Sequence, residues 1–283
     1  MNLTFPPATC YQDRNLSGGR QEINLRICTL ASGSKGNCVY VEGGKTKVLI
    51  DAGLTLRETR LRLAEIGVKA EEITAVLITH EHADHIKGLG PLGRACHMPL
   101  YLTPKTRAAA NPWLGKGLNI HEFEPGEAFE IDDLYFEPFS TSHDAVDSVG
   151  FAFHCGRHKA GLATDLGYAS HLVIERLRGV NLLVLESNHD PKMLKDGPYP
   201  WHLKQRVSGK EGHLSNEDAG RLMEELIHDG LSQIILAHLS QINNLPEIAY
   251  DKARDMLESK SCGHIRLEVA GQNNISGFAE LKG

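Results

Sequence analysis

From Leu25 onward the chain alternates short apolar runs with stretches whose apolar positions recur every three or four residues. The apolar runs predict strands over Leu25–Ala31, Cys38–Glu42, Lys47–Asp51, Ala75–Thr79, Leu100–Thr103, Phe129–Thr141, Val149–His154, Lys159–Thr164, Leu182–Glu186, Gln233–Ala237 and Arg266–Val269. The clearest helix follows Ser215, an N-cap with Asp218 three residues on, and carries the stripe Ala219, Leu222, Met223, Leu226 and Ile227 before Gly230. A second starts at Pro246 and repeats the spacing through Ala249, Ala253, Met256 and Leu257. Residues 55–66, 104–110 and 171–178 are further helix candidates. Two strand-rich halves, each followed by helices, fit a sheet-on-sheet core with helices outside, a four-layer arrangement that periodicity alone does not fix. With no low-complexity linker after Leu25, the expectation is a poorly ordered N-terminal extension over 1–23 and one domain over 24–283.

Composition adds to this picture in one respect. The 283 residues are 41% hydrophobic and 23% charged, which excludes disordered, collagen-like and disulfide-scaffold classes. The formal charge of -6 does not by itself suggest a phosphate-rich partner. The unusual count is 15 histidines, the commonest metal-ligating side chain and a frequent acid or base. The first 23 residues, with Pro6, Pro7, Asp13, Arg14 and Glu22, do not read as a secretory signal, and no apolar run approaches the roughly 20 residues that span a bilayer. Six cysteines without a C-x-x-C pair read as reduced thiols of a cytoplasmic protein.

The strand Ala75–Thr79 runs directly into His80-Glu-His82-Ala-Asp84-His85. If that segment stays extended, His80, His82 and Asp84 project to one side and His85 turns toward a second point. Three further polar residues close apolar strands: His143, Asp165 and His238. Each alone reads equally as a satisfied loop residue, but together with the turn they supply five His and two Asp. That is too many for one tetrahedral zinc and suits two adjacent ions sharing a carboxylate. Asp51 ends another strand and reads either as a plain turn residue before Gly53 or as an acceptor orienting a ligand imidazole.

The ordered set Asp51, His80-x-His82-x-Asp84-His85, His143, Asp165 and His238 resembles the five-motif signature of metallo-β-lactamase-fold hydrolases. The resemblance implies an α/β (α+β) protein built as an αββα sandwich. It also implies one ion on His80, His82 and His143, a second on Asp84, His85 and His238, and Asp165 between them. Leu185-Glu186-Ser-Asn-His-Asp190, Gly212-His213-Leu-Ser-Asn216 and His238-Leu-Ser240 are similar to the nuclease branch, where ribonuclease Z pairs an acidic residue with a proton-donating histidine; Glu186 and His213 match those positions. The fullest likeness is to the bacterial YycJ (WalJ) family, through Leu30-Ala-Ser-Gly-Ser-Lys-Gly-Asn-Cys38 and the same later segments. It implies 5′-to-3′ exonuclease activity on double-stranded DNA, with Asp84 orienting a metal-bridging hydroxide and His213 protonating the leaving group.

Zinc suits these donors, with manganese or iron as alternatives. Other readings of the same fold are a ribonuclease Z-like RNA nuclease, a hydrolase of a cyclic phosphodiester, thioester or lactam, and a non-catalytic binding protein. The loop holding Ser34, Lys35 and Asn37 reads either as a substrate contact, offering backbone N–H groups and an ammonium to phosphate, or as a plain hairpin turn. Trp201–Arg206 with Lys210 is either a backbone-tracking segment or a solvated basic face. His189 lies close to Glu186 in sequence and has no assigned role, and Arg57, Arg60 and Arg62 need mean only solubility. Nothing in the sequence supports a homo-oligomer or a membrane partner.

Overall fold

A computed structural model describes residues 23–283; the expected disorder of the N-terminal extension therefore falls almost wholly outside the described residues. Its last residue, Ile23, packs against the core.

Two seven-stranded mixed sheets face each other, each covered by helices on its outer side, giving an αββα sandwich. The first begins with the antiparallel meander β1 (Leu25–Ala31), β2 (Cys38–Gly43) and β3 (Thr46–Ile50). It continues in parallel through β4 (Ala75–Leu77), β5 (Leu100–Leu102) and β6 (Ile120–Glu122). The second opens with β7 (Phe129–Ile131), β8 (Leu134–Ser140), β9 (Val149–Cys155) and β10 (His158–Ala163), all antiparallel. Parallel β11 (Leu182–Glu186), β12 (Gln233–Ala237) and β13 (Arg266–Val269) complete it. The last strand, β14 (Ala279–Leu281), returns to pair antiparallel with β1.

The central strands of each sheet are buried on both faces, which is why they read as largely apolar runs, whereas the edge strands β6, β7 and β13 are partly exposed. Val48 and Ile50 of β3 enter the layer between the sheets, whereas Leu49 faces the helices. In β11, Leu182 and Val184 point inward while Leu183 and Leu185 meet the helices.

Over the first sheet lie α1 (Leu56–Glu65), α3 (Leu89–Cys96) and α4 (Pro104–Leu114), with the single turn α2 (Ala83–Ile86) at its end. Helix α1 starts at a capping box in which Thr55 and Glu58 satisfy each other's backbone N–H groups. On the second sheet lie α5 (His171–Leu177), α8 (Asn216–Leu226) and α9 (Pro246–Ser259); the short helices α6 (Pro191–Asp196) and α7 (Trp201–Val207) come between α5 and α8 in the chain. Ser215 caps α8, and Ala219, Leu222, Met223 and Leu226 are its buried stripe. None of these helices is long and apolar enough to cross a membrane.

One expected element is corrected. The strand foreseen over 129–141 is a hairpin, broken at Asp132 and Asp133, where Asp132 takes φ +47° and Ile131 pairs with Leu134. Two adjacent Asp residues break the alternation of apolar and polar positions there, and the chain turns.

Candidate metal centre

The C-terminal ends of the parallel strands converge at one rim of the sandwich, the position where α/β sheets place their ligands. Asp51 follows β3, the His80–His85 turn follows β4, Asp165 follows β10, Glu186 ends β11 and His238 follows β12. Asp51, Asp165 and His238 have φ of +65°, +58° and +56°, a left-handed conformation that non-glycine residues rarely adopt. Three strand ends turning in this way aim their side chains into one cluster.

Four groups of donor atoms, each mutually within 4.8 Å, form within it: two separate trios, His80, His82 and His143, and Asp84, His85 and His238, and, overlapping them, His80, His85 and Asp165, and Asp165, Glu186, His213 and His238. The extended-segment reading of the turn is corrected here. His82 is the N-cap of α2, so Asp84 leaves the side of His80 and His82 and joins His85 in the second trio. Asp165 lies between the trios, with Oδ1 3.7 Å from His143 Nε2 and Oδ2 3.4 Å from His85 Nε2.

The hydrogen bonds decide which ring nitrogens are free. A carbonyl only accepts, so His82 Nε2 donates to the Asp144 carbonyl at 3.2 Å and His143 Nδ1 to that of Gly212 at 3.1 Å. Their remaining nitrogens, His82 Nδ1 and His143 Nε2, are left facing each other at 3.2 Å as lone pairs, which a shared cation reconciles. His80 Nε2, Asp165 Oδ2 and His238 Nε2 are buried without any hydrogen-bond partner, a costly state that coordination removes. The donor set thus fits two divalent ions, and His and carboxylate donors are those zinc accepts.

The second trio is fixed by carboxylates. His85 Nδ1 donates to Asp51 Oδ2 at 2.7 Å, and Asp51 in turn accepts from the backbone N–H and hydroxyl of Thr79. His238 Nδ1 donates to Glu186 Oε1 at 2.8 Å, and the same oxygen accepts from His213 Nδ1, also at 2.8 Å. The other oxygen of Glu186 takes the backbone N–H groups of Leu166 and Leu214. His213, with its side chain 18% exposed, stands at the edge of the cluster, while Glu186 is wholly buried beneath it.

The electrostatics follow. Burial, reinforced by the neighbouring imidazoles, pushes His80 well below the usual histidine value. Burial also opposes charge on His85, but Asp165, Asp51 and Asp84 outweigh it and lift the group to about 9. His238 is likewise raised against its burial, by Asp165, Asp84 and Glu186. Asp84, Asp165 and Glu186 are held below the carboxylate range by the histidines around them, again against burial.

Asn37, a candidate substrate contact, is buried and turned inward, its amide reaching Asp84 Oδ2 at 3.2 Å and His85 Nε2 at 2.9 Å. Ser34 and Lys35 are exposed beside it. The backbone groups expected to cradle phosphate are otherwise engaged: Gly33 N–H is bonded to Asn37 Oδ1, Lys35 N–H to Gln272 Oε1, and Asn37 N–H to the Asp84 carbonyl. On α7, Arg206 is paired with Asp144, beside His82 and His143. His189 is buried with Nδ1 unbonded and is absent from both trios.

Several supporting residues have no chemistry of their own to mark them; Ser32, Asn188 and Asn216 lie within the segments that carry the family likeness, and Asn244 in none of them. Ser32 Oγ accepts the backbone N–H of His238 at 2.6 Å, and Asn188 Nδ2 donates to its carbonyl at 2.8 Å. Asn244 ties Asn216 to the carbonyls of Ser187 and Asn188. Gly53 presses so close to the Asp84 backbone that an added Cβ would lie 1.6 Å from its carbonyl oxygen, so only glycine fits behind the turn.

With this geometry in view, the comparisons with known proteins agree. The family model of the beta-lactamase superfamily domain matches residues 46–238. The exodeoxyribonuclease YycJ of Bacillus anthracis is 39% identical over 243 residues, covering 85% of this chain and 92% of its own length. The exodeoxyribonuclease WalJ of Streptococcus pneumoniae is 41% identical over 233 residues, 81% of this chain and 87% of the other. The metallo-beta-lactamase fold protein YhfI from Bacillus subtilis, at 18% identity, superposes with a TM-score of 0.69 over 92% of this chain and 100% of that one. The chain belongs to the metallo-β-lactamase-fold superfamily, within its YycJ/WalJ family.

Proposed function

We propose that the protein is a dinuclear-metal-dependent phosphodiesterase, an exonuclease acting 5′-to-3′ on double-stranded DNA in the cytoplasm. The observation that carries the reading is the sharing of Glu186 Oε1 by His213 and His238, which seats a proton donor against a metal ligand. The similarity to exodeoxyribonucleases over most of both chains supports DNA as the substrate.

The residues that would hold one ion are His80, His82 and His143, and the other Asp84, His85 and His238, with Asp165 between them. When bound, such ions acidify a water molecule and offset the charge gathering on the phosphoryl oxygens. Zinc is the metal the donors suit best. The chain's own groups do the rest. Asp84 accepts a hydrogen bond from the attacking water and aligns it with phosphorus. As the new P–O bond forms, the bond to the leaving nucleoside oxygen breaks, and that oxygen takes the Nε2 proton of His213. Glu186, by accepting from Nδ1–H, stabilises the doubly protonated imidazolium that gives up the Nε2 proton and leaves His213 neutral with its proton on Nδ1.

Digestion of end-labelled single- and double-stranded DNA and RNA by metal-reconstituted protein, with an Asp84→Ala control, tests the reading. A 5′-labelled duplex DNA should release its label first as a short product, whereas a 3′-labelled one shortens progressively. Cleavage of none of the four substrates overturns it; cleavage of RNA alone moves the protein to a ribonuclease Z-like role.

A further inference from the structure

A groove of about 470 Å³ opens beside Asp84, between the loop after β1 and the start of α1. It lies within the range of roughly 300–1,000 Å³ that small-ligand sites occupy. Three cationic side chains line it: Lys35, Arg62 and Lys87. Among the described residues none of the three has a carboxylate within ion-pair distance. Arg62 donates instead to the carbonyls of Leu30 and Gln272, at 2.6 and 3.1 Å, and Lys87 Nζ to that of Lys35 at 2.8 Å. Neutral partners fix these groups without cancelling their charge. Of the two carboxylates on the wall, Glu58 is bound up in the cap of α1, and Asp84 belongs to the second trio.

We infer that this groove, through Lys35, Arg62 and Lys87, binds a backbone phosphate of the nucleic-acid strand next to the one that is cleaved. The inference rests on the nucleic-acid reading of the site and adds to it the direction in which the strand leaves the metal centre. It assigns Arg62 and Lys87, neither of which any motif marks, and changes how the loop contributes. With the N–H groups of Gly33, Lys35, Gly36 and Asn37 all bonded within the protein, the loop meets phosphate through the Lys35 ammonium and not as a cradle of amides. Lys87, by holding the Lys35 carbonyl, couples the two charges across the opening.

The test is equilibrium binding of a cleavage-resistant phosphorothioate DNA duplex to the intact metal-loaded protein, by fluorescence anisotropy at several salt concentrations. The double variant Lys35→Gln/Lys87→Gln should weaken binding and reduce the slope of log affinity against log salt by about 1, the contribution of the one phosphate the groove neutralises. Lys35→Arg/Lys87→Arg should keep the wild-type slope, and Lys252→Gln, outside the groove, should leave it alone. An unchanged slope in the glutamine variant overturns the inference. So does an equal loss in the arginine variant, which would mean that the lysines only hold the loop; melting temperature and metal content check that each variant folds. A wild-type protein whose slope responds as expected but which cleaves no unmodified DNA keeps the groove and removes the nuclease reading.

Discussion

The two donor trios are similar in composition and opposite in support. In the first, the Thr79 hydroxyl lies against His80 at 3.0 Å, and backbone carbonyls take His82 and His143. In the second, His85 and His238 lean on the buried carboxylates Asp51 and Glu186, at 2.7 and 2.8 Å. Charge-assisted hydrogen bonds are roughly twice as strong as neutral ones and raise the basicity of the imidazole they hold. The proton affinities differ in the same sense: burial and the neighbouring imidazoles hold His80 low, whereas Asp165, Asp51 and Asp84 outweigh burial and raise His85 to about 9. The first position offers an ion neutral rings ready to coordinate, whereas the second offers a negative pocket whose hold on an ion depends on two buried anions. His213 hydrogen-bonds to the Glu186 oxygen that also holds His238 of the second trio, while its ring lies 5.0 Å from that of His143 in the first.

The sharpest way to break this contrast is to neutralise the shared anion. Glu186→Gln keeps the shape but removes the charge on which both His213 and His238 depend. Turnover should fall by roughly 10²- to 10⁴-fold, the scale of lost acid catalysis, and metal analysis should find the second ion depleted while the first remains. His213→Ala should lower turnover over the same range with both ions retained; metal content falling in step with activity would remove its assignment as proton donor. Asp51→Asn should spare the proton donor and weaken only the second ion, by about 10- to 100-fold, as expected for a residue that orients a ligand. Equal weakening of both ions in a stepwise metal titration would refute the contrast.

What was legible beforehand follows the same physics. Strands β11 and β12 are readable because both their faces are buried, leaving apolar runs over Leu182–Leu185 and Ile234–Ala237, and β1 and β3 are mostly apolar, interrupted by Arg26, Thr29 and Lys47. The short edge strands β6 and β14 left no such run, and α7 has no buried residue through which a helical period could register. The stretch that follows His85 reads as helix-like, and α3 forms there despite Gly90, Pro91 and Gly93. Pro91 falls in its first turn, where a missing N–H costs nothing, and Gly90 lets the helix pack against the backbone of Trp113 and Leu114. The donor residues stood out as polar groups closing apolar strands. Their partners did not, since a carbonyl such as that of Gly212 carries no residue signature, and Ser32 meets His238 across 206 positions of chain.

A carboxylate–imidazole pair outside the cluster shows what such a contact does when no ion is involved, and it carries the smallest expected effect. Glu137 on β8 accepts from His154 on β9 at 3.1 Å, with Arg176 nearby. Burial pushes the Glu137 carboxyl up, but His154, Lys159 and Arg176 together hold it below its ordinary value. A carboxylate depressed in the folded state adds stability that is present above its unfolded value, roughly 4.3, and is lost as pH falls through the folded one. Glu137→Gln should therefore cost about 1.5–3 kcal/mol near neutral pH, the worth of a hydrogen bond to a charged group. Below about pH 4 the cost should begin to shrink, as the unfolded carboxyl of the wild type takes up a proton, and it is lost as pH falls through the lower folded value. Metal content and turnover should be unchanged. Denaturant melts of both proteins between pH 3 and pH 7 measure this directly. A penalty independent of pH would mean that Glu137 acts through packing alone, and a loss of metal would mean that the anionic support seen at the second trio extends through the sheet to β8.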